Sequence, residues 1–185
     1  MKNRGFNFNE HTLTGALLKQ VAADLSKTVV DVCQAYLITS TEMRLAERSL
    51  KASEELRCGL DAEVFNNHSD QAKVEIYYGR WPSAIFPVEG KERKGKPGFE
   101  LEEHRKIGAR LKQVHADALE TFSSINQAYS KQSRPAKGVK KLLEVVTKLR
   151  VALDESFFIK HKGAHEVDVY YGANGPPRIM VGVER

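Results

Sequence analysis

The chain has 185 residues, 41% of them hydrophobic, which is enough for a real core in one ordinary domain or two small ones and makes intrinsic disorder the wrong default. No apolar run approaches the roughly 18 residues that span a bilayer, and the N-terminus MKNRGFNFNEH lacks the apolar centre of a secretory signal, so the expectation is a cytoplasmic protein with no membrane partner. The net charge of +5 is uneven: residues 1–92 carry 11 Lys/Arg against 13 Asp/Glu and residues 93–185 carry 18 against 11, which gives −2 and +7.

In chain order, Glu10 to about Ile38 predicts a long helix with Leu18, Val21, Leu25, Val29, Val32 and Tyr36 on one stripe. Thr39-Ser40-Thr41-Glu42 supplies capping hydroxyls for a second helix that runs to about Phe65 and ends at Asn66-Asn67. Two long helices joined so closely fold back as an antiparallel hairpin. The stretch Lys73–Gly79 (KVEIYYG) alternates apolar and polar residues and predicts a strand, with a return strand at Ala84–Glu89 after the turn GRWPS.

The glycine-rich, charged segment 90–98 predicts an exposed linker, after which the pattern starts again. Phe99 to about Lys131 and Pro135 to about Ile159 predict helices, Glu166–Gly172 (EVDVYYG) a strand, and Arg178–Val183 its return. The two YYG stretches are 93 residues apart, and laying the chain on itself at that offset matches far more: Gly15-Ala16 falls on Gly108-Ala109, LKQVAAD on LKQVHAD, and Gln34-Ala35-Tyr36 on Gln127-Ala128-Tyr129. Roughly a third of the aligned positions are identical, against about one in twenty by chance, so the chain is a tandem duplication. The expected fold is therefore α+β: repeats 1–92 and 93–185, each an αα-hairpin plus a β-hairpin, joined into one pseudo-twofold body. It would hold four helices, as a layer or a bundle, and about four antiparallel strands. Cys33 and Cys58 fall on Asn126 and Val151, outside the repeated framework, and read as free thiols.

Residues of a hairpin bent near position 40 stand level when their numbers sum to about 80. Lys19 is then level with Asp61, Asp24 with Arg57, Lys112 with Asp154 and Asp117 with Arg150, which reads as ion pairs along each seam. His11 is level with His68 and His104 with His161, beside Glu10 and Glu103, with His165 near the second pair. Imidazoles and carboxylates in this grouping are a candidate transition-metal set, although the ordinary zinc spacings are missing.

Tyr77 and Tyr170 fall on the strand face turned away from the helices, near Arg80, Trp81 and Arg178. Aromatics with arginines on an open sheet suit a protein partner or self-association. No phosphate-binding loop, nucleophile elbow or catalytic cysteine pattern is present in the sequence. The leading expectation is a non-enzymatic binding or assembly protein that presents this aromatic face. The alternatives are a nucleic-acid-binding module using Lys137, Lys140, Lys141, Lys148 and the linker residues Arg93, Lys94 and Lys96, and a metal protein built on the histidine pairs.

Overall fold

The computed structural model describes residues 4–78, 96–162 and 168–171. Four long helices, α1 (Phe8–Ala35), α2 (Thr41–Asn67), α4 (Leu101–Ala128) and α5 (Arg134–Lys160), are accompanied by two single helical turns, α3 (Glu75–Tyr78) and α6 (Asp168–Tyr171). Every boundary in the first half recurs 93 residues later.

The helix starts follow local chemistry. Asn7 accepts the Glu10 N–H at 2.9 Å while the Glu10 carboxylate accepts the Asn7 N–H at 2.8 Å, and Glu103 returns the same bond to the Glu100 N–H at 2.8 Å. Ser40 and Ser133 cap α2 and α5 through the N–H groups of Met43 and Ala136, with Pro135 in the first turn of α5.

The long helices close a ring in the order α1, α2, α5, α4. α2 packs most extensively on α5, and the diagonal pairs do not approach each other. Neighbours are antiparallel throughout: Glu42 meets Ser156 and Glu55 meets Lys141 across α2–α5, and Asp31 meets Arg110 across α1–α4. The core runs along the bundle axis, from Leu18, Leu25 and Leu60 through Leu111, Val146 and Leu153, all fully buried. The two hairpins thus form one four-helix bundle.

Each repeat also reaches across to the other. The arm before α1 bends at Gly5, at a positive φ of 69°, and the Gly5 N–H donates to the Ala128 carbonyl at the end of α4 (2.9 Å). Gly98, at φ 75°, does the same to Ala35 at the end of α1 (3.0 Å). Phe6 then packs edge-on against Tyr129 at 5.0 Å between ring centres, and Phe99 against Tyr36 at 5.1 Å. Each arm therefore caps the first helix of the other repeat, satisfying a carbonyl that the helix itself leaves open.

The α+β expectation is corrected. Among the described residues every element is a helix and there is no strand. Glu75–Tyr78 and Asp168–Tyr171 are helical turns where strands were expected, and the return strands Ala84–Glu89 and Arg178–Val183 lie outside the described residues. A run this short cannot separate a period of 2 from one of 3.6, and its Val, Ile and Tyr content tilts the reading toward a strand. What favours the helical turn is its docking. The Ile76 carbonyl sits against Gly15 so closely that a Cβ there would lie 2.2 Å from the oxygen, and Val169 repeats this against Gly108 at 2.2 Å.

The free carbonyl at the end of the turn is taken by a buried arginine. Arg57 donates to the Tyr77 oxygen from Nε (2.9 Å) and Nη2 (2.6 Å), and Arg150 donates to Tyr170 from Nε (3.1 Å) and Nη2 (2.5 Å). Each guanidinium also stands 4.6 Å from the next tyrosine ring, Tyr78 or Tyr171.

These bonds replace part of the expected seam pairing. Lys19 donates to the Glu75 carbonyl at 3.1 Å rather than reaching Asp61, and Asp24 accepts from Gln20 at 2.9 Å. Asp117 accepts from Gln113 at 2.8 Å. Lys19, Arg57 and Arg150 thus serve the terminal turns.

A methyl group at the docking glycine has backbone in its way, so Gly15→Ala or Gly108→Ala should destabilise the protein by about 1–3 kcal/mol, the usual cost of overpacking. At Gly59 an added Cβ meets only the Arg134 side chain at 3.5 Å, so Gly59→Ala should gain about 0.5–1 kcal/mol. Urea unfolding of the three variants checks the contrast, and a neutral Gly15→Ala would contradict the docking.

Candidate functional site

The residues singled out in the sequence fall into two groups, one sealed inside the protein and one on its surface. The inner group is a pair of equivalent clusters, each built from both repeats. In the first, His11 Nδ1 lies 2.6 Å from the Tyr77 hydroxyl, and the His11 ring meets Phe6 at 5.4 Å and His68 at 5.7 Å, both edge-on. Tyr129 of the second repeat closes it through Phe6. In the second cluster His104 Nδ1 lies 2.7 Å from the Tyr170 hydroxyl, with Phe99, Phe157 and His161 around the ring and Tyr36 of the first repeat behind Phe99.

The equal heights read from sequence do bring each histidine pair together, and burial decides what the pairs are. His11 and His104 are 0% exposed, and burial foremost, with the neighbouring His68 or His161 adding to it, pushes each down to about 4, so both are neutral at ordinary pH. Nε2 of each ring is buried without a hydrogen-bond partner, so the bond to the tyrosine hydroxyl at Nδ1 is what anchors the imidazole. Burial raises Tyr77 and Tyr170 strongly, and pushes Tyr36 and Tyr129 up to about 12.

This corrects the exposed aromatic face. Tyr77 and Tyr170 are both 0% exposed, because on a helical turn their side chains point into the bundle toward the histidines. Arg80, Trp81 and Arg178 lie outside the described residues.

Among the described residues the candidate metal set does not assemble either. Glu10 is held by Asn7 and by an ion pair with Arg4, and Glu103 by its own helix cap. The second histidine of each pair holds the arm: His68 Nε2–H donates to the Phe6 carbonyl at 3.0 Å and His161 Nε2–H to Phe99 at 3.2 Å. Among the described residues no three His, Cys, Asp or Glu side chains converge. His165 lies outside them.

The surface group lies along the α2–α5 seam. Lys137, Lys140, Lys141 and Lys148 are all exposed on α5, as is Arg134. Facing Lys137, Lys141 and Lys148 across the seam are Arg44, Arg48 and Lys51 of α2, also exposed and spaced along one stripe. Lys141 pairs with Glu55 at 2.6 Å and Lys148 with Glu144 at 2.6 Å, so two acids are interleaved with the cations. The Glu55 carboxyl is held below its usual range by the Lys141 hydrogen bond first, with Lys51 and Arg134 contributing charge, which places four groups in one field. By helical phase Glu47 and Glu54 fall on the α1 side of α2, away from the seam, and Lys140, the mate of Glu47 under the 93-residue offset, falls likewise on the α4 side of α5.

Of the linker cations, Lys96 is committed to the Cys33 carbonyl, while Arg93 and Lys94 lie outside the described residues. The α2 cations were missed in the sequence because identity matching at the 93-residue offset passes over conservative exchanges. Arg44 falls on Lys137 and Arg48 on Lys141, basic in both repeats.

No family model, curated protein or solved structure matches the chain.

The histidines generate a prediction about acid stability. The unfolded chain protonates them near pH 6.5 and the folded chain resists down to about 4, so in that window the unfolded state binds more protons and stability falls as pH falls. Urea midpoints measured from pH 8 to 4 should drop across this range, and His11→Asn with His104→Asn should flatten the drop while lowering the midpoint at pH 8. A drop unchanged in that variant would assign it to other groups.

Proposed function

We propose that the protein is a non-enzymatic binding module for nucleic acid, and that the exposed face of α2 and α5 holds the phosphate backbone. The observation that carries this reading is the basic seam: cations from two helices on one rigid face, with two positions basic in both repeats. Long flexible cations on a packed helix pair fit a polyanion, whose binding releases condensed counterions and is therefore favourable at low salt. The histidines and tyrosines that most resemble chemistry in the sequence are consumed by packing, which supports binding over catalysis. The sealed tyrosines also take away two of the three aromatics on which a protein-partner reading rested.

The test is fluorescence anisotropy of labelled oligonucleotides as salt is raised. Affinity should fall linearly on a log–log plot, and Arg48→Gln, Lys137→Gln, Lys141→Gln and Lys148→Gln should each lower the slope by up to about 1. Binding absent at physiological salt, or indifferent to all four, would overturn the reading.

A further inference from the structure

We propose that the α2–α5 face takes a nucleic-acid duplex, with the protein's pseudo-twofold lying on a twofold of the duplex so that each repeat holds the phosphates of one strand. This rests on the nucleic-acid reading above and adds the kind of nucleic acid.

The argument begins with where the symmetry axis crosses the surface. Glu55 stands beside Lys141, Leu56 beside Gly138 and Glu42 beside Ser156, which sets the antiparallel register of the two helices. In that register Lys51 is level with Glu144, and these two are also mates under the 93-residue offset. The pseudo-twofold therefore crosses the seam between them, perpendicular to the exposed face. Arg48 and Lys141 flank it on opposite helices, and Arg44 and Lys137 stand one turn farther out.

Four cations thus form two symmetry-related pairs, one pair from each repeat. At 1.5 Å of rise per residue they extend over roughly 20 Å along the seam. A duplex has two antiparallel backbones related by twofolds perpendicular to its axis, and carries about one charge per 1.7 Å. A single strand has no such symmetry to match. The face is also the most extensive helix contact in the bundle, so its cation spacing is set by packing rather than adapted to a flexible chain.

Composition points the same way. Neither 44–55 nor 134–148 contains an aromatic residue, whereas surfaces that hold single strands stack bases on aromatics. The same two stretches contain no Asn or Gln, so the contacts expected are to phosphates, with little dependence on base sequence.

The experiment titrates the full chain into a labelled duplex of about 20 base pairs and, separately, each of its single strands, at several salt concentrations. Arg44→Gln with Arg48→Gln and Lys137→Gln with Lys141→Gln are compared with Lys106→Gln, an exposed α4 lysine off the seam, and circular dichroism confirms that each variant is folded. The proposal expects the duplex to bind at least tenfold more tightly than either strand, each pair of substitutions to lower the salt slope by about 2, and Lys106→Gln to leave it unchanged. Single strands bound as tightly as the duplex, or a loss from one repeat's pair alone, would overturn the duplex proposal while leaving nucleic-acid binding standing. Failure of every oligonucleotide to bind would overturn both.

Discussion

A single turn of helix seated on a glycine is the constraint on which each repeat depends. At Ile76–Tyr77 three contacts meet within two residues: the Ile76 carbonyl against the Cα of Gly15, the Tyr77 hydroxyl on His11, and the Tyr77 carbonyl under the Arg57 guanidinium. The turn touches both helices of the hairpin, so it closes the open end that a helix pair would otherwise leave frayed. Arg57 is costly to bury, and burial lowers its pKa, yet it gains two hydrogen bonds and a tyrosine face in return. The repetition of every one of these contacts at Val169–Tyr170 argues that they are the purpose of the duplicated YYG stretch.

The joining of the repeats follows from the same region. His68 and His161 fix the arms that cross to the other repeat, so the clusters that close each hairpin also clamp the pair. The contrast of −2 against +7 is partly spent at this junction. Arg110 and Lys141 of the basic repeat meet Asp31 and Glu55 of the acidic one, and Ser156 donates to Glu42. The positions equivalent to these under the offset are Leu17 with Ser124 and Arg48 with Lys148, which make no such pairs by residue type. The interface has thus lost its symmetry in charge while keeping it in backbone, and the excess positive charge remains on the outer face of α2 and α5.

Much of this was legible from the residues alone. The four long helices announce themselves because a 27- or 28-residue stripe of Leu, Val and Ala at helical spacing has no competing reading, and Ser40 and Ser133 fix the starts of α2 and α5. The duplication and the height of His11 opposite His68 are likewise matters of counting. The YYG turn was misread because four residues hold too little periodicity. That error turned Tyr77 outward, since a strand's alternation assigns it to the face opposite Val74, whereas Val74, just before the helical turn, is 55% exposed and Tyr77 within it is sealed. Lys19 and Arg57 were paired with carboxylates because charge is visible in a sequence, while the backbone carbonyls they actually bind are visible only in the fold.

The central claim is that the repeated tyrosines are internal anchors, and the most direct measurement is a spectrophotometric titration of tyrosine ionisation alongside helical circular dichroism. The protein has six tyrosines. The account predicts that Tyr77 and Tyr170 stay un-ionised until the helix signal is lost at high pH, so that Tyr77→Phe with Tyr170→Phe removes nothing from the early part of the curve. Two tyrosine equivalents ionising near pH 10 in the folded protein and missing from that variant would place these side chains in solvent and contradict it.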